Sequence, residues 1–439
     1  MDTFFKVSQR GSTVANEVVG GLTTFLAMAY IIAVNPAILS DAGVPFDAAL
    51  TATCFGAAIM TIAMGLIANK PLALASGMGI NAIVAYTLCL GAPAVDWRVA
   101  MAVVLLEGIV ILVLVLCGLR KAIMDAIPVN LRRAIGIGIG LFIAFIGLKG
   151  SGLVVPNDST ILAFGDVTTP ASIVAIISIA VAVVLQTRHV KGALLISIIV
   201  ATIVGIPLGV SPMPSAWNFG VDFSAFAAPF QTDPATGTMA IIEVFMQPLL
   251  LLFVFSLLMS DFFDTMGTVV AVGQQGDFVD ENGDVEDIQS ILVVDSAAAA
   301  VGGIMGASSI TTFVESASGA AAGARTGLSN MVIGIAFVVF AFLSPIVGMV
   351  SSSATCGALV VVGYLMMSDI GLIEWDKIEF AFPAFATIIG IPLTYSITNG
   401  IGFGFISYVV IMIFQGRIKE ISPLMWVATI AFAVMFVLM

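Results

Sequence analysis

The chain has 439 residues, of which 60% are hydrophobic and 10% charged, and its formal net charge is −12. Soluble domains carry about 25% charged residues, so a water-soluble globular fold is excluded, and no basic stripe is present to hold nucleic acid. Apolar runs of about 20 residues, the length that crosses a bilayer as a helix, recur from Val18 to the C-terminus without the short alternation of a β-barrel. The chain reads as an all-α polytopic membrane protein.

The opening "MDTFFKVSQRGSTVANE" is polar and lacks an apolar stretch with a cleavage site, so it is not read as a removed signal peptide. Helices are expected near 19–39, 48–68, 72–90, 98–118, 131–150, 170–187 and 191–209, and again near 240–273, 287–306, 308–324, 328–350, 355–370, 379–396 and 399–415. The stretch 423–439 suits either a further span or an interfacial helix. With the N-terminus in the cytoplasm, thirteen of the Lys and Arg residues fall in cytoplasmic segments and two, Arg98 and Lys149, fall outside. That bias agrees with the positive-inside rule and gives 14 transmembrane segments in a plasma (inner) membrane. The two series of seven share loose motifs, "HVKGALLISIIV" (189–200) with "TNGIGFGFISYVV" (398–410) among them. Because seven is odd, the second series would lie inverted, giving two inverted 7-helix repeats of the kind found in secondary transporters.

The third and tenth segments, "NKPLALASGMGINAIVAY" (69–86) and "GASSITTFVESASGAAAG" (306–323), read poorly as continuous helices. Each has an extended-looking stretch, then small residues, then helix formers. Irregular backbone at membrane depth survives only where it lines a cavity or is buried in protein. The expectation is two short crossing strands, each feeding a half-helix whose N-terminal N–H groups face a shared pocket.

Ionisable groups at this depth are costly and are functional candidates by default. They are Glu17, Glu107, Glu243, Asp261, Asp264, Asp295 and Glu315, joined by the amide Asn81. Glu17 and Glu243 lie near span ends and read as interfacial, and Glu107 reads as a helix–helix contact. Asp295 lies where it can support the neighbouring broken segment. In "SDFFDTMGTVV" (260–270) Asp261 and Asp264 are three apart on one helix face; Asp264 is taken as a substrate contact and Asp261 as its support. Two carboxylates in a low-dielectric pocket suit a flat, neutral ligand with several N–H donors, because an ionised carboxylate only accepts hydrogen bonds. Such groups can also change protonation as solvent access changes, which is the physical requirement for proton coupling.

Other signals point to no chemistry. The four cysteines form no CxxC pair, so neither metal nor disulfide is implied. "DENGDVED" (280–287) has a glycine too early for a calcium loop and reads as a solvated turn. His189 sits in a basic loop, which leaves a membrane enzyme without a nucleophile–base pair. No cofactor is expected; the coupling ion is expected to be H⁺.

At these residues the sequence resembles the AzgA-like hypoxanthine/guanine/adenine permease branch of the nucleobase–cation symporter superfamily. The matching stretches are "AMAYIIAVNPAIL" (27–39), "GMGINA" (77–82), "AIGIGIGLFIAFIGLKGSGLVV" (134–155), "DFFDTMGT" (261–268), "TTFVESASGAAAGARTGL" (311–328) and "IPLTYSITNGIGFGFISY" (391–408). The resemblance implies a uracil-permease-like fold of two inverted repeats. Its core domain would be 1–126 (spans 1–4) and 239–352 (spans 8–11), and its gate domain 127–238 (spans 5–7) and 353–439 (spans 12–14 with the C-terminal apolar stretch). It places a purine site at Gly79 and Asn81, at Asp264, and at Glu315 with Ser316. Met78 falls where related uracil carriers set an aromatic against the base. Asp261, Asp295 and Thr312 would support the site, and Glu315 or Asp264 would carry the coupling proton. Related carriers form dimers through their gate domains, so a homodimer is an option the sequence leaves open. The rival readings are a carrier of another nucleobase, uracil or xanthine, and a carrier of a small anion on the same fold.

Overall fold

The computed structural model describes residues 2–91, 94–118, 127–214, 217, 219–278 and 285–438. It is a helical membrane-type bundle. In chain order the helices are α1 (Asp2–Phe5), α2 (Val14–Met28), α3 (Ile31–Asp41), α4 (Phe46–Ile67), α5 (Met78–Ala82), α6 (Trp97–Leu116), α7 (Val129–Gly150), α8 (Pro170–Thr187), α9 (Ala193–Gly205), α10 (Ala240–Met246) and α11 (Pro248–Gln275). They continue with α12 (Ile288–Met305), α13 (Ser316–Ala321), α14 (Leu328–Ala341), α15 (Ser344–Val347), α16 (Ser352–Met366), α17 (Ile378–Thr394), α18 (Ile397–Phe414) and α19 (Pro423–Leu438). Four short strands accompany them: β1 (Leu74–Ser76), β2 (Val154–Asn157), β3 (Ile161–Phe164) and β4 (Ile310–Thr312). Among the described residues, eight helical stretches are long and apolar enough to cross a membrane, nine if the bent pair α10–α11 is one span. Five shorter apolar helices lie among them. Most of the "DENGDVED" segment, 280–284, lies outside the described residues.

Helical hydrogen bonding is interrupted in the third and tenth spans, the latter running as β4 and then α13, and at two further places. α2 and α3 join through a tighter turn at Ala29–Tyr30, where Ile32 N and Ala33 N bond three residues back, to Ala29 O (3.2 Å) and Tyr30 O (3.1 Å). Pro36, inside α3, has no N–H to return to residue 32. The third span runs as β1, then α5, then a π-helical stretch over Ile83–Cys89, a geometry that recurs at functional sites. The eighth, expected as one helix over 240–273, is instead two: α10 and α11 meet at 103°. Pro248 opens α11 at a position that needs no N–H donor.

β1 and β4 pair antiparallel in the bundle interior, with Leu74 opposite Thr312, Ala75 opposite Thr311 and Ser76 opposite Ile310. All six residues are buried. Outside this ribbon, helices meet at glycines. A Cβ on Gly20 would lie 2.8 Å from Gly319 O, and one on Gly319 would lie 2.5 Å from Gly20 O, so α2 and α13 touch backbone to backbone. Gly65 and Gly327 close the same way, at 2.5 and 2.0 Å. Glu17 is not interfacial: it is fully buried and accepts from Arg325 N (2.9 Å) and Thr326 N (3.3 Å), holding the turn after α13 against α2. Glu243 is likewise buried, with Thr236 donating to it.

A side chain at the α2–α13 contact would separate two backbones. Gly319→Val is therefore expected to lower the thermal-unfolding midpoint in detergent by a few degrees, since overpacking typically costs about 1–3 kcal/mol. Gly136→Ala, with nothing within 4 Å of the added Cβ, should leave the midpoint unchanged. Equal midpoints for both variants in a thermal scan would refute the backbone contact.

Candidate functional site

Where the two broken spans meet, the chain leaves a cavity of about 90 Å³. Its floor is the start of the third-span half-helix, Gly77 to Ile80, together with Thr312 and Phe313 at the end of β4. α11 contributes Ser260, Asp264 and Thr268, one helical turn apart each. Tyr30 enters from the break between α2 and α3, and Val314 and Glu315 from the link between β4 and α13. The facing wall is apolar: Ile139 from α7, and Val362 and Met366 from α16.

Two carboxylates look into this space. Asp264 keeps an exposed side chain although it sits two-thirds of the way along α11, because the cavity reaches it. Glu315 is half-buried and accepts a hydrogen bond from the Tyr30 hydroxyl at 2.8 Å. Val314, beside it, is 52% exposed, a large apolar group that the cavity leaves open. The lining continues towards Thr268 and Met366, near the ends of α11 and α16. Near the N-terminal segment, Arg10 donates to Asn69 O (3.2 Å) and lies 3.8 Å from Glu286. There Lys70 is fully buried yet 2.5 Å from Glu286. Burial pulls its ammonium below the usual lysine range, and the lysine in turn holds the Glu286 carboxyl below the usual carboxylate range.

The opposite face is closed by aromatic rings. Tyr395 packs edge-on against Phe142 (5.0 Å between centroids), Tyr86 (5.5 Å) and Phe145 (5.9 Å). Lys149 Nζ lies 4.4 Å from the Tyr395 ring centre, and the Tyr86 hydroxyl donates to Asp41 at 2.8 Å. Tyr395 itself has φ of +53°, an uncommon conformation for a non-glycine residue, held here by the packing of four side chains.

Of the residues singled out from sequence, Met78, Gly79, Asp264, Thr312 and Glu315 line the cavity. Asn81 and Ser316 do not. Asn81 is fully buried, one turn deeper along the half-helix, and neither its amide oxygen nor its nitrogen has a partner among the described residues. Ser316 Oγ accepts from Ala73 N at 2.9 Å, so it braces β1 from behind. Asp261 is fully buried, away from the lining. Asp295 lies behind β4, where it accepts from Thr312 N (3.1 Å), Thr311 Oγ1 (3.3 Å) and Thr265 Oγ1 (2.8 Å). The half-helix N-termini are unequal: α13 has six residues, too few for an appreciable macrodipole, whereas the third-span half-helix continues through its π-helical turns. Tyr30 escaped the sequence reading. Its signal was weak, a tyrosine six residues before a proline in an apolar run, indistinguishable from a core aromatic without knowing that the helix breaks there.

The cavity therefore offers hydrogen-bond acceptors on one side and apolar faces on the other. Among the described residues that line it, none carries a positive side chain that would draw an anion. Similar proteins are known. Guanine/hypoxanthine permease PbuG of Bacillus subtilis (strain 168) is 38% identical over 448 residues, covering 100% of this chain and 99% of that one. Adenine permease AdeQ of Escherichia coli (strain K12) is 35% identical over 438 residues, covering 100% and 96%. Among solved structures, the transmembrane domain of a cyanobacterium bicarbonate transporter, BicA, superposes with a TM-score of 0.66 at 15% identity, covering 89% of this chain and 97% of that one. That likeness speaks for the fold alone. The sequence model of the permease family matches residues 15–400, and with relatives of this similarity along the whole chain, the protein belongs to the permease family of transporters and is not an enzyme.

Proposed function

We propose that the chain is a secondary active transporter that imports purine nucleobases, hypoxanthine and guanine or adenine, across the plasma membrane by proton symport. The observation that carries this reading is the placement of Asp264 and Glu315 around one cavity whose facing wall, Ile139, Val362 and Met366, is apolar. A purine is flat and presents ring N–H and amino donors along its edge. The carboxylates accept from that edge, and the ring lies between Met78 and the aliphatic wall of Ile139, Val362 and Met366. Backbone N–H groups at Gly79 and Ile80 meet a carbonyl or ring nitrogen on the other edge. Asn81 acts one shell behind the base, through the conformation of the half-helix. The names of the relatives, guanine/hypoxanthine and adenine permeases, support the same class of cargo. A small-anion carrier, the rival on this fold, is disfavoured because an anion would face two carboxylates.

In this reading the chain crosses the membrane fourteen times in two inverted repeats, with a core of 1–126 and 239–352 and a gate of 127–238 and 353–439. The cavity lies between them: the carboxylates belong to the core, the apolar wall to the gate. With the N-terminus cytoplasmic, the cavity opens inward and the Tyr86–Tyr395 contact closes the outer side. Alternating access then requires the core to slide or rock against the gate so that the aromatic contact parts. The pocket carboxylates Glu315 and Asp264 are titratable groups suited to carry the proton as solvent access alternates.

Uptake of labelled hypoxanthine, guanine, adenine and uracil into cells without their own carriers tests the reading. Purine uptake should exceed uracil uptake and collapse with a protonophore. Glu315→Gln and Asp264→Asn should each weaken apparent affinity about 10- to 100-fold, the loss expected for a charged hydrogen bond of about 1.5–3 kcal/mol. Normal transport by both variants would refute the site, and transport of anions alone would refute the cargo.

Access can be read independently. A cysteine introduced as Thr268→Cys in a cysteine-free background should react with a membrane-impermeant maleimide in inside-out vesicles, and purine should protect it. Reaction only in right-side-out vesicles would reverse the assigned orientation of the cavity.

A further inference from the structure

The bundle holds a second carboxyl site that the purine pocket does not use. Glu107, near the middle of α6, is fully buried, and neither of its oxygens has a hydrogen-bond partner among the described residues. α6 lies backbone to backbone on α12: a Cβ on Gly108 would come within 2.2 Å of Ala300 N, and one on Gly303 within 2.7 Å of Leu105 N. This close approach brings Glu107 into electrostatic contact with Asp295 and sets the Ser309 side chain beside it. Ser309 is also fully buried, and its hydroxyl, beside Glu107, makes no hydrogen bond of good geometry in this packing. Titratable groups on the other elements packed against α6 are Asp261 and Asp264 on α11, Glu243 on α10, and Tyr86 and Cys89 on the π-helical stretch. No basic side chain is among them.

The two carboxyls are served differently. Asp295 accepts three hydrogen bonds, from Thr265, Thr311 and Thr312, the setting of an ionised carboxylate. Glu107 has none, and a buried charge with no partner is not tolerated at membrane depth. We propose that Glu107 is a proton-binding site distinct from the substrate pocket, occupied in the conformation described here, with Asp295 as its ionised neighbour and the Ser309 hydroxyl as the group its O–H meets. Binding converts carboxylate and H⁺ to a carboxyl, with water as the source and sink, and no other bond changes. A sodium ion is the poorer occupant, because it asks for several converging oxygens and this site sets one carboxyl and one hydroxyl together. Asp295 is held by Thr265, next to Asp264, and by Thr311 and Thr312, which lead to Glu315. A change of charge at Glu107 is therefore felt by the two elements that carry the pocket carboxylates.

The proposal rests on the reading of the chain as a proton-coupled purine carrier, and the test separates the two. Purified wild type and Glu107→Gln are reconstituted in liposomes. Counterflow exchange of hypoxanthine, and binding of hypoxanthine by calorimetry, report the pocket; accumulation driven by an imposed pH gradient reports the proton site. Glu107→Gln should keep exchange and binding within about twofold of wild type and lose at least about tenfold of pH-driven accumulation. Infrared spectra should show a protonated carboxyl band in wild type that is missing in the variant; this arm stands even if the variant transports nothing. Normal pH-driven accumulation by Glu107→Gln, accumulation driven by sodium alone, or no protonated carboxyl band in wild type would each overturn the proposal. Absence of exchange and binding in wild type would instead overturn the purine reading, while the infrared band would still decide whether Glu107 holds a proton.

Discussion

Everything distinctive in this molecule follows from putting non-helical backbone in the middle of a membrane protein. A two-stranded ribbon pairs only its inner edges. The outer N–H and C=O groups of β1 and β4 must find partners without water, or each costs about 1–3 kcal/mol. The chain meets that demand with side chains drawn from neighbouring helices. Thr61 both accepts from Leu74 N and donates to Leu74 O, each at 2.9 Å. Ser316 accepts from Ala73 N and Asp295 from Thr312 N. Asn330 donates to Lys70 O and Leu72 O, and Asn35 and Ser76 donate to Ala307 O. The backbone completes the frame, with Gly77 N bonding Ser309 O and Phe313 N bonding Ala73 O, both at 2.9 Å.

These partners explain why so many polar residues are buried in an apolar chain, and why most of them do not face the cavity. The ribbon also fixes which residues do. Because β1 and β4 are antiparallel, the residues that follow them, Met78–Gly79 and Val314–Glu315, leave from opposite ends of the ribbon, and both segments border the cavity. Asp264 joins them from α11, whose next residue, Thr265, is tied to Asp295 and to Thr311. The pocket carboxylates are thus set by a common scaffold, whereas the wall opposite comes from α7 and α16, which pack on each other and contribute only aliphatic contacts. Polar interactions are concentrated on one side of the cavity and slippery ones on the other, an arrangement suited to relative motion between the two.

Part of this was legible in the sequence for physical reasons. A glutamate in a run of small and β-branched residues, and two aspartates three apart in a span, have no cheap explanation in lipid, so they stand out. β1 and β4 were legible because glycines and Thr-Thr or Ala-Leu-Ala stretches interrupt helical patterning in two places, whereas the β2–β3 pair was not expected. Less visible were features that arise from contacts between distant segments. Tyr30 becomes a partner of Glu315 only because α2 and α3 join through a tighter turn there, and Glu17 reads as a surface acid until the turn at Arg325 and Thr326 is folded onto it. Pro248 did signal the break after α10, but a proline near a span end is tolerated so often that the apolar run around it dominated. Asn81 and Ser316 enter the site reading through the family resemblance; in the fold Asn81 is buried behind the cavity lining and Ser316 braces β1, because a half-helix turns 100° per residue and sends neighbours to different environments.

The same scaffold constrains how charge can move. Asp264 and Glu315 face the cavity, so in the proposed mechanism their protonation follows solvent access. Asp295 is enclosed and satisfied by three donors, which makes it a fixed charge instead of a carrier. Glu107, enclosed but with nothing donating to it, is the group for which ionisation and the present packing are incompatible. Three kinds of carboxyl environment therefore coexist on elements joined to one ribbon: open, satisfied and unsatisfied. Any rearrangement that moves β4 changes all three together, because Thr311 and Thr312 tie Asp295 to the strand, and Glu315 begins three residues after it. In the proposed mechanism, coupling between proton and cargo then needs no long pathway, only two positions of the ribbon.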